Sequence, residues 1–284
     1  MKILVLGVSG MLGHVTFRKL SKDASLEVWG SARSNGMLSY FDASLHDKVL
    51  TGVDILDESR LIGLLDRLRP NVIVNCVGLI KQLENANDPL VALPINSLLP
   101  HRLARLASLV GARLIHMSTD CVFSGARGSY SEKDPSDAND LYGRSKFIGE
   151  VDYENAITLR TSIIGPELNR ATGLVGWFLA QEGAIKGFTR AIFSGLPTVE
   201  LAGVIHRHVL SRPDLRGVYH VAAEPISKYD LLRLVAQKYG KTIKIVPDDA
   251  LSIDRSLNGE RFRAQTGYTA PPWPELITRM RDFA

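Results

Sequence analysis

Only two cysteines occur in the 284 residues, Cys76 and Cys121, each at or just past the end of an apolar run. That scarcity excludes a disulfide framework, and no Cys/His grouping has the spacing of a zinc site. A reducing, cytoplasmic setting is the expectation. No apolar stretch approaches the roughly 20 residues of a membrane-spanning helix. The apolar run at the N-terminus is too short for a signal peptide and no cleavage region follows it. Neither sign of charge dominates: 34 Lys and Arg against 30 Asp and Glu leave a net +4. Interspersed charge of this size argues against a nucleic-acid surface but suits an anionic ligand. Repeats and low-complexity tracts are also missing. What remains is an ordinary globular composition, long enough for one large α/β domain with a smaller lobe.

What is present begins with a strand, a turn and a helix. Residues 2–7 form a short apolar run rich in β-branched side chains, as in a buried strand. It ends in Gly7, Gly10 and Gly13, and HVTFRKLSK then has helical character. G-x-x-G-x-x-G is a relative of the dinucleotide fingerprint. Glycines let the backbone turn sharply and approach a pyrophosphate at the helix N-terminus, with Met11 and Leu12 in the same first turn. Strand candidates at 2–7, 26–32, 71–78, 112–120 and 156–162 alternate with helices, the rhythm of a parallel sheet. Pro70 closes one helix. Another is expected over 96–111, with Pro100 in its first turn, where a missing N–H costs least. Residues 217–222 and 242–247 read as strands, 228–240 as an amphipathic helix ending at Gly240. Residues 166–202 read as loops and helices, and 270–275 as a proline-rich loop before a terminal helix.

Tyr142 and Lys146 stand four apart in LYGRSKFIGE, so on a helix they share a face. Free tyrosine titrates near about 10, and a neighbouring cation lowers that value, so the pair reads as a tuned acid/base. Ser118 and Thr119 supply hydroxyls upstream. At the end of the second strand NAD binders place a carboxylate for the ribose 2′-OH. Here Ser31 and Arg33 occupy the place, and Glu27 falls too early, within the strand. An arginine fork suits a 2′-phosphate, which favours NADP (as NADPH) over NAD.

Together these motifs resemble the extended short-chain dehydrogenase/reductases, and within them the dTDP-4-dehydrorhamnose reductase group. STDCVFSG is similar to that group's S-T-D-Y-V-F-x-G, and LYGRSKFIGE to its Y-G-x-[ST]-K-x-x-G-E. INSLLPHRLARLA resembles its helix beginning with Asn, here Asn96. LRTSIIG follows at the family's usual interval, and DRSLN is loosely similar to a substrate loop. The resemblance implies a Rossmann-type doubly wound parallel sheet over 1–165, with a strand returning near 203–223. It implies a smaller substrate-binding lobe over 166–202 and 224–284. The implied reaction is NADPH-dependent reduction of the 4-keto group of a nucleotide-activated 4-keto-6-deoxy sugar. Tyr142 would give the proton, Lys146 would hold the nicotinamide ribose, and Thr119 would bond the reacting oxygen. Asp54 and Ile55 would meet the adenine, and Cys76, Val77 and Gly78 the middle of the cofactor. Cys121, Val122 and Phe123 would wall the sugar pocket, and Arg255 with Ser256 would take the diphosphate, Arg170 and Arg190 coming next. Cys121 departs from the family's usual Tyr, which puts the exact sugar in question. The alternatives are an NAD-retaining epimerase or dehydratase, and a catalytically silent regulatory subunit such as that of methionine adenosyltransferase. A homodimer is compatible with all of these.

Other residues carry plainer readings. His206 and His208 are two apart, on one face of a strand, with no third ligand for a metal. His116 reads as a satisfied core histidine and Asp120 as a turn or capping carboxylate. Ser118 is expected to bond backbone at its strand end. Arg160 is placed near the active site by the resemblance, with a structural salt bridge as the competing role. Trp177 and Phe178 read as lobe core rather than as a stack on a base.

Overall fold

A computed structural model describes all of the chain except residues 82, 83, 170 and 284. The first half runs β1 (Lys2–Leu6), α1 (Met11–Leu20), β2 (Glu27–Ser31), β3 (Val49–Leu50), α2 (Glu58–Leu68), β4 (Val72–Asn75), α3 (Pro89–Ala92), α4 (Leu99–Leu109), β5 (Arg113–Thr119), α5 (Leu141–Ile148) and β6 (Ala156–Thr161). After these come β7 (Ile163–Ile164), α6 (Leu174–Ala180), β8 (Ala184–Phe188), β9 (Ala191–Phe193), β10 (Leu196–Pro197), α7 (Thr198–Val204) and β11 (Gly217–His220). The chain ends with β12 (Ile226–Ser227), α8 (Lys228–Tyr239), β13 (Lys244–Asp248), β14 (Ile253–Asp254), α9 (Glu260–Thr266) and α10 (Trp273–Phe283).

The main sheet has seven strands in the order β11-β6-β5-β4-β1-β2-β3, and every pairing is parallel. Because successive side chains on a strand point to opposite faces, a sheet covered on both sides needs apolar residues at every position. β1 meets that demand: Ile3 and Val5 pack into one core with α1 and α7, and Leu4 and Leu6 into the other with α2 and α4. The chain leaves β1 in one direction toward β3, then crosses back to β4. The carboxyl ends of β1 and β4 therefore flank the topological switch point, where open α/β sheets bind ligands.

Helix boundaries follow local chemistry. The Asp57 side chain accepts from Arg60 N at the start of α2, and Leu61, Leu64, Leu65 and Leu68 make its buried stripe. It ends at Arg69 in a left-handed conformation, just before Pro70. Ser227 caps α8 by accepting from Asp230 N, and Gly240, with φ of 65°, closes it. The helix expected over 96–111 differs. Helical structure starts at Pro89, and a π turn over Leu93–Leu98 leads into α4. Pro100 is thus deep inside a helical stretch and has no N–H for the carbonyl of Asn96. The wider turn absorbs that loss.

Two further expectations are corrected. The run VIHRHVL is not a strand but the second half of a helix that begins at Thr198, with a π turn over Ile205–Val209. Seven residues of alternation imitate a strand because the six residues before them, which complete the helical stripe, lie outside the window. The stretch 166–202 also contains strands: β10 pairs with β7, β13 with β8, and β9 lies between β12 and β14. No described helix is long and apolar enough to cross a membrane.

Candidate active site

Gly7 has φ of 80°, a conformation costly for any residue with a Cβ. A Cβ on Gly13 would overlap the carbonyl oxygen of Gly7. The turn therefore has room for neither side chain, and α1 starts hard against the end of β1. Gly10 N donates to Gly7 O at 3.0 Å and Gly10 stands at the N-cap with no side chain over it. The backbone N–H groups of the first turn are left for an anion, and the helix dipole favours one there. Across the switch point a Cβ on Gly7 would lie 2.7 Å from the Val77 side chain. The glycine turn, with Met11 and Leu12 behind it, and the 76–79 loop thus face each other as the fit of a dinucleotide requires.

Ser31 is buried at the end of β2, and its carbonyl accepts from Gly7 N and Val8 N. Arg33 is exposed just beyond. The exposed Asp54 carboxylate accepts from Leu56 N, and Ile55 packs on the α2–α4 core. In the 76–79 loop Val77 N donates to Asn75 Oδ1 at 3.1 Å, and Leu79 N to Asn96 Oδ1 at 2.9 Å. A methyl group on the exposed Gly78 would lie 3.8 Å from Nζ of Lys146. The loop therefore passes directly beside Lys146.

That helix, α5, is capped by Asp140, whose carboxylate accepts from Gly143 N at 2.8 Å and from Lys81 Nζ at 2.6 Å. A Cβ on Gly143 would overlap the Cys121 carbonyl, so glycine lets α5 dock onto the turn after β5. Tyr142 is half-buried, and Lys146 is 5% exposed with its ammonium donating to Met117 O at 2.6 Å. Burial pushes Lys146 down to about 8, opposed by the charge of Glu150. The expected lowering of Tyr142 does not occur in this state. Burial raises the phenol, the Cys121 thiol adds to the rise, and the Thr119 hydroxyl opposes it. Thr119 is at the end of β5, accepting from Cys121 N at 3.1 Å and donating to Asp120 Oδ1 at 3.2 Å. The cap of that turn is thus Thr119 rather than Asp120. Asp120 is buried and its carboxyl is raised by desolvation.

Both cysteines are pushed up to about 12 by burial. They remain thiols, so neither is an activated nucleophile. Cys121 is half-buried beside Tyr142, but Val122 and Phe123 are not on the cleft wall. They are fully buried in a cluster with Tyr130 and Leu257, because Phe123 stacks on Tyr130 with centroids 4.2 Å apart. Arg255 is half-buried, its Nε donating to Phe123 O at 2.8 Å. Its terminal nitrogens have no partner among the described residues. Ser256 is the opposite case: 3% exposed, its hydroxyl accepts from Ser129 N at 2.8 Å. It fastens the 254–258 segment to the 125–130 loop and does not face a ligand. Arg190 is exposed, and Arg170 lies outside the described residues.

Several plain readings change as well. Among the described residues the Ser118 hydroxyl bonds no backbone; it donates to Glu150 Oε1 at 2.6 Å. Arg160 holds the same carboxylate with Nε and Nη2, both at 2.6 Å, in a buried pair. Its Nη1 donates to His220 Nε2 at 3.2 Å, and His220 Nδ1 donates to Tyr130 O. His116 is only half satisfied: Asn75 Nδ2 donates to its Nδ1, and Nε2 has no partner among the described residues. Trp177 is 39% exposed while Phe178 is wholly buried. His206, in the π turn after α7, pairs with Asp23 just past α1, and His208 meets the edge of Tyr268. Among the described residues no group of three or more His, Cys, Asp or Glu could hold a metal ion. Glu150, Asn75, His220 and Gly143 are the site residues that motif reading passed over. The only advance signal was the Gly-Glu pair that closes LYGRSKFIGE.

Residues 1–281 match the family model described as RmlD substrate binding domain. The chain is 30% identical over 275 residues to the probable low-salt glycan biosynthesis reductase Agl14 of Haloferax volcanii, covering 93% of this chain and 86% of that protein. It is 24% identical to methionine adenosyltransferase 2 subunit beta of Xenopus laevis, covering 98% of this chain and 89% of the relative. Among solved structures, dTDP-4-dehydrorhamnose reductase from Bacillus anthracis in complex with NADP superposes with a TM-score of 0.81 at 22% identity, over 100% of this chain and 98% of the other.

Proposed function

The chain belongs to the RmlD substrate binding domain family, and on that premise we propose that it is an NADPH-dependent oxidoreductase. The substrate class is a nucleotide-activated 4-keto-6-deoxy sugar, reduced at its 4-keto group. The observation that carries the reading is the convergence of Thr119, Tyr142 and Lys146 beside Gly78, on the carboxyl side of β4 and β5. Bound NADPH would supply hydride to the ketone carbon. Negative charge then develops on the ketone oxygen. Tyr142 hydrogen-bonds that oxygen and donates its proton to it. Thr119 offers a second hydroxyl at the same point. Lys146, whose ammonium lies near the Gly78 turn, holds the ribose of the cofactor and supports the negative charge left on Tyr142. The first-turn N–H groups of α1 take the pyrophosphate, and Arg33 takes a 2′-phosphate. Arg255, with free terminal nitrogens, takes the diphosphate of the sugar nucleotide. Residues 166–202 and 224–284 form the substrate lobe in this reading.

The test is a panel of nucleotide 4-keto sugars with NADPH, followed by nucleotide absorbance, with Tyr142→Phe beside the wild type. The reading expects turnover by the wild type on at least one sugar. In Tyr142→Phe, turnover should fall by about 100- to 10,000-fold with NADPH affinity kept, since only the proton donor is removed. Turnover of the Phe variant close to wild type would remove Tyr142 from the role.

Similarity to methionine adenosyltransferase 2 subunit beta favours a second reading, a catalytically silent regulatory subunit. The presence of Thr119, Tyr142 and Lys146 together speaks against it. A binding subunit would take up NADPH and turn over none of the sugars. An epimerase or dehydratase would instead carry NAD through purification.

A further inference from the structure

Lys146 and Glu150 are held against consecutive residues of one strand. The ammonium donates to the carbonyl of Met117, and the carboxylate accepts from the hydroxyl of Ser118. Gly149 makes this arrangement possible. A Cβ there would overlap the carbonyl oxygen of Asn96, in the π turn before α4. The chain can approach that turn only as glycine, and the approach carries Glu150 in against Ser118, the residue after the carbonyl that takes the lysine ammonium.

We propose that Glu150 is a positioning residue for the reduction, clamped by Arg160 and Ser118 so that its charge keeps the ammonium of Lys146 in place behind the cofactor ribose. The role rests on the reading of Lys146 given above. The clamp is stiff: three hydrogen bonds of 2.6 Å, two from Arg160 and one from Ser118, occupy both carboxylate oxygens. Arg160 is fixed in turn by His220 and by the face of Phe123, 5.3 Å from its centroid. Arg255 bonds the carbonyl of that same Phe123. The clamp therefore reaches from the catalytic lysine to the residue assigned to the diphosphate.

The surroundings make Glu150 the carboxylate that acts on Lys146. On its own helix Tyr142 stands one turn before it. From β5 it meets His116, and His101 of α4 stands beyond. From β6 and β11, Arg160 and His220 lie behind Glu150. Burial holds His116 well below the usual histidine range, and His220 is pushed down to about 3 by burial and by Arg160. Both are neutral at working pH. Among the described residues Glu150 is the group whose charge favours the lysine ammonium against its desolvation.

The test follows the titration of Lys146 directly, by NMR of lysines labelled at Cε, in wild type, Glu150→Gln and Glu150→Asp. Removing the carboxylate charge, which leaves the Arg160 guanidinium uncompensated, should lower the Lys146 midpoint by about one pH unit or more in the Gln variant. The Asp variant should return part of the shift. The alkaline fall of turnover should move with it, to lower pH in Glu150→Gln. Identical Lys146 midpoints in wild type and Glu150→Gln would overturn the proposal. If Glu150→Gln does not fold, the wild type decides: the Glu150 carboxyl carbon should show an inflection at the pH where Lys146 titrates, and its absence would overturn the proposal. If the wild type reduces no sugar, the proposed activity fails while the NMR titration still answers for Glu150.

Discussion

The carbonyl oxygen of Gly7 occupies the space that a Cβ of Gly13 would need. The glycine spacing is thus a packing requirement between β1 and α1, whatever the turn binds. Gly13→Ala should cost about 1–3 kcal/mol through overpacking and displace the first turn of α1. The expected outcome is a lower Tm in thermal unfolding and a loss of NADPH binding in calorimetry. An alanine variant with wild-type Tm and affinity would mean that the helix can shift without consequence.

Lys146 gives a pH dependence of stability whose sign is determined. Its folded value of about 8 lies below the usual 10.5, so the unfolded chain binds more protons between those values. Stability due to this group therefore rises as pH climbs from about 8 to about 10.5, and burial of the ammonium is a cost below that window. Urea unfolding at pH 7 and at pH 10 should show wild type gaining on Lys146→Met. A stability difference between the two proteins that is flat across the window would contradict the shift.

Arg33 is exposed at the end of β2 with no carboxylate in its place. Wild type should bind NADPH more tightly than NADH, and Arg33→Ala should narrow the gap by about one to two decades, as for one charge-assisted pair. Calorimetric titration with both cofactors is the measurement. Equal affinities in the wild type would remove the 2′-phosphate role.

Arg255→Ala should raise KM for the nucleotide sugar by about one to two decades while NADPH affinity stays. Ser256→Ala separates binding from architecture. Its hydroxyl is buried against Ser129 N, so the variant should lose stability by about 1–3 kcal/mol rather than lose sugar affinity alone. Unchanged KM in a folded Arg255→Ala protein would move the diphosphate elsewhere, with Arg190 the next arginine to test.

Much of this molecule is written locally. Three glycines after an apolar run can only be a tight turn against a helix, and Tyr142 and Lys146 share a face because α5 repeats every 3.6 residues. Pro70 and Gly240 end helices by their own backbone chemistry. These inferences need only neighbours within a few residues, which is why they are legible in the chain itself. The places where reading failed are those where partners come from far away. Ser118 finds Glu150 across 32 residues, and Ser129 finds Ser256 across 127. No period announces such pairs; they form because a buried polar group must be satisfied by whatever the fold brings near. The same holds for Val122 and Phe123, which follow Thr119 by three and four residues yet turn inward onto Tyr130 and Leu257. The sequence by itself determined the parallel sheet, the glycine turn and the shared face of Tyr142 and Lys146. The tertiary structure alone decided which polar partners surround that face, such as Arg160 and Ser118 on Glu150, because burial and long-range hydrogen bonding are properties of the packed chain and not of any stretch of it.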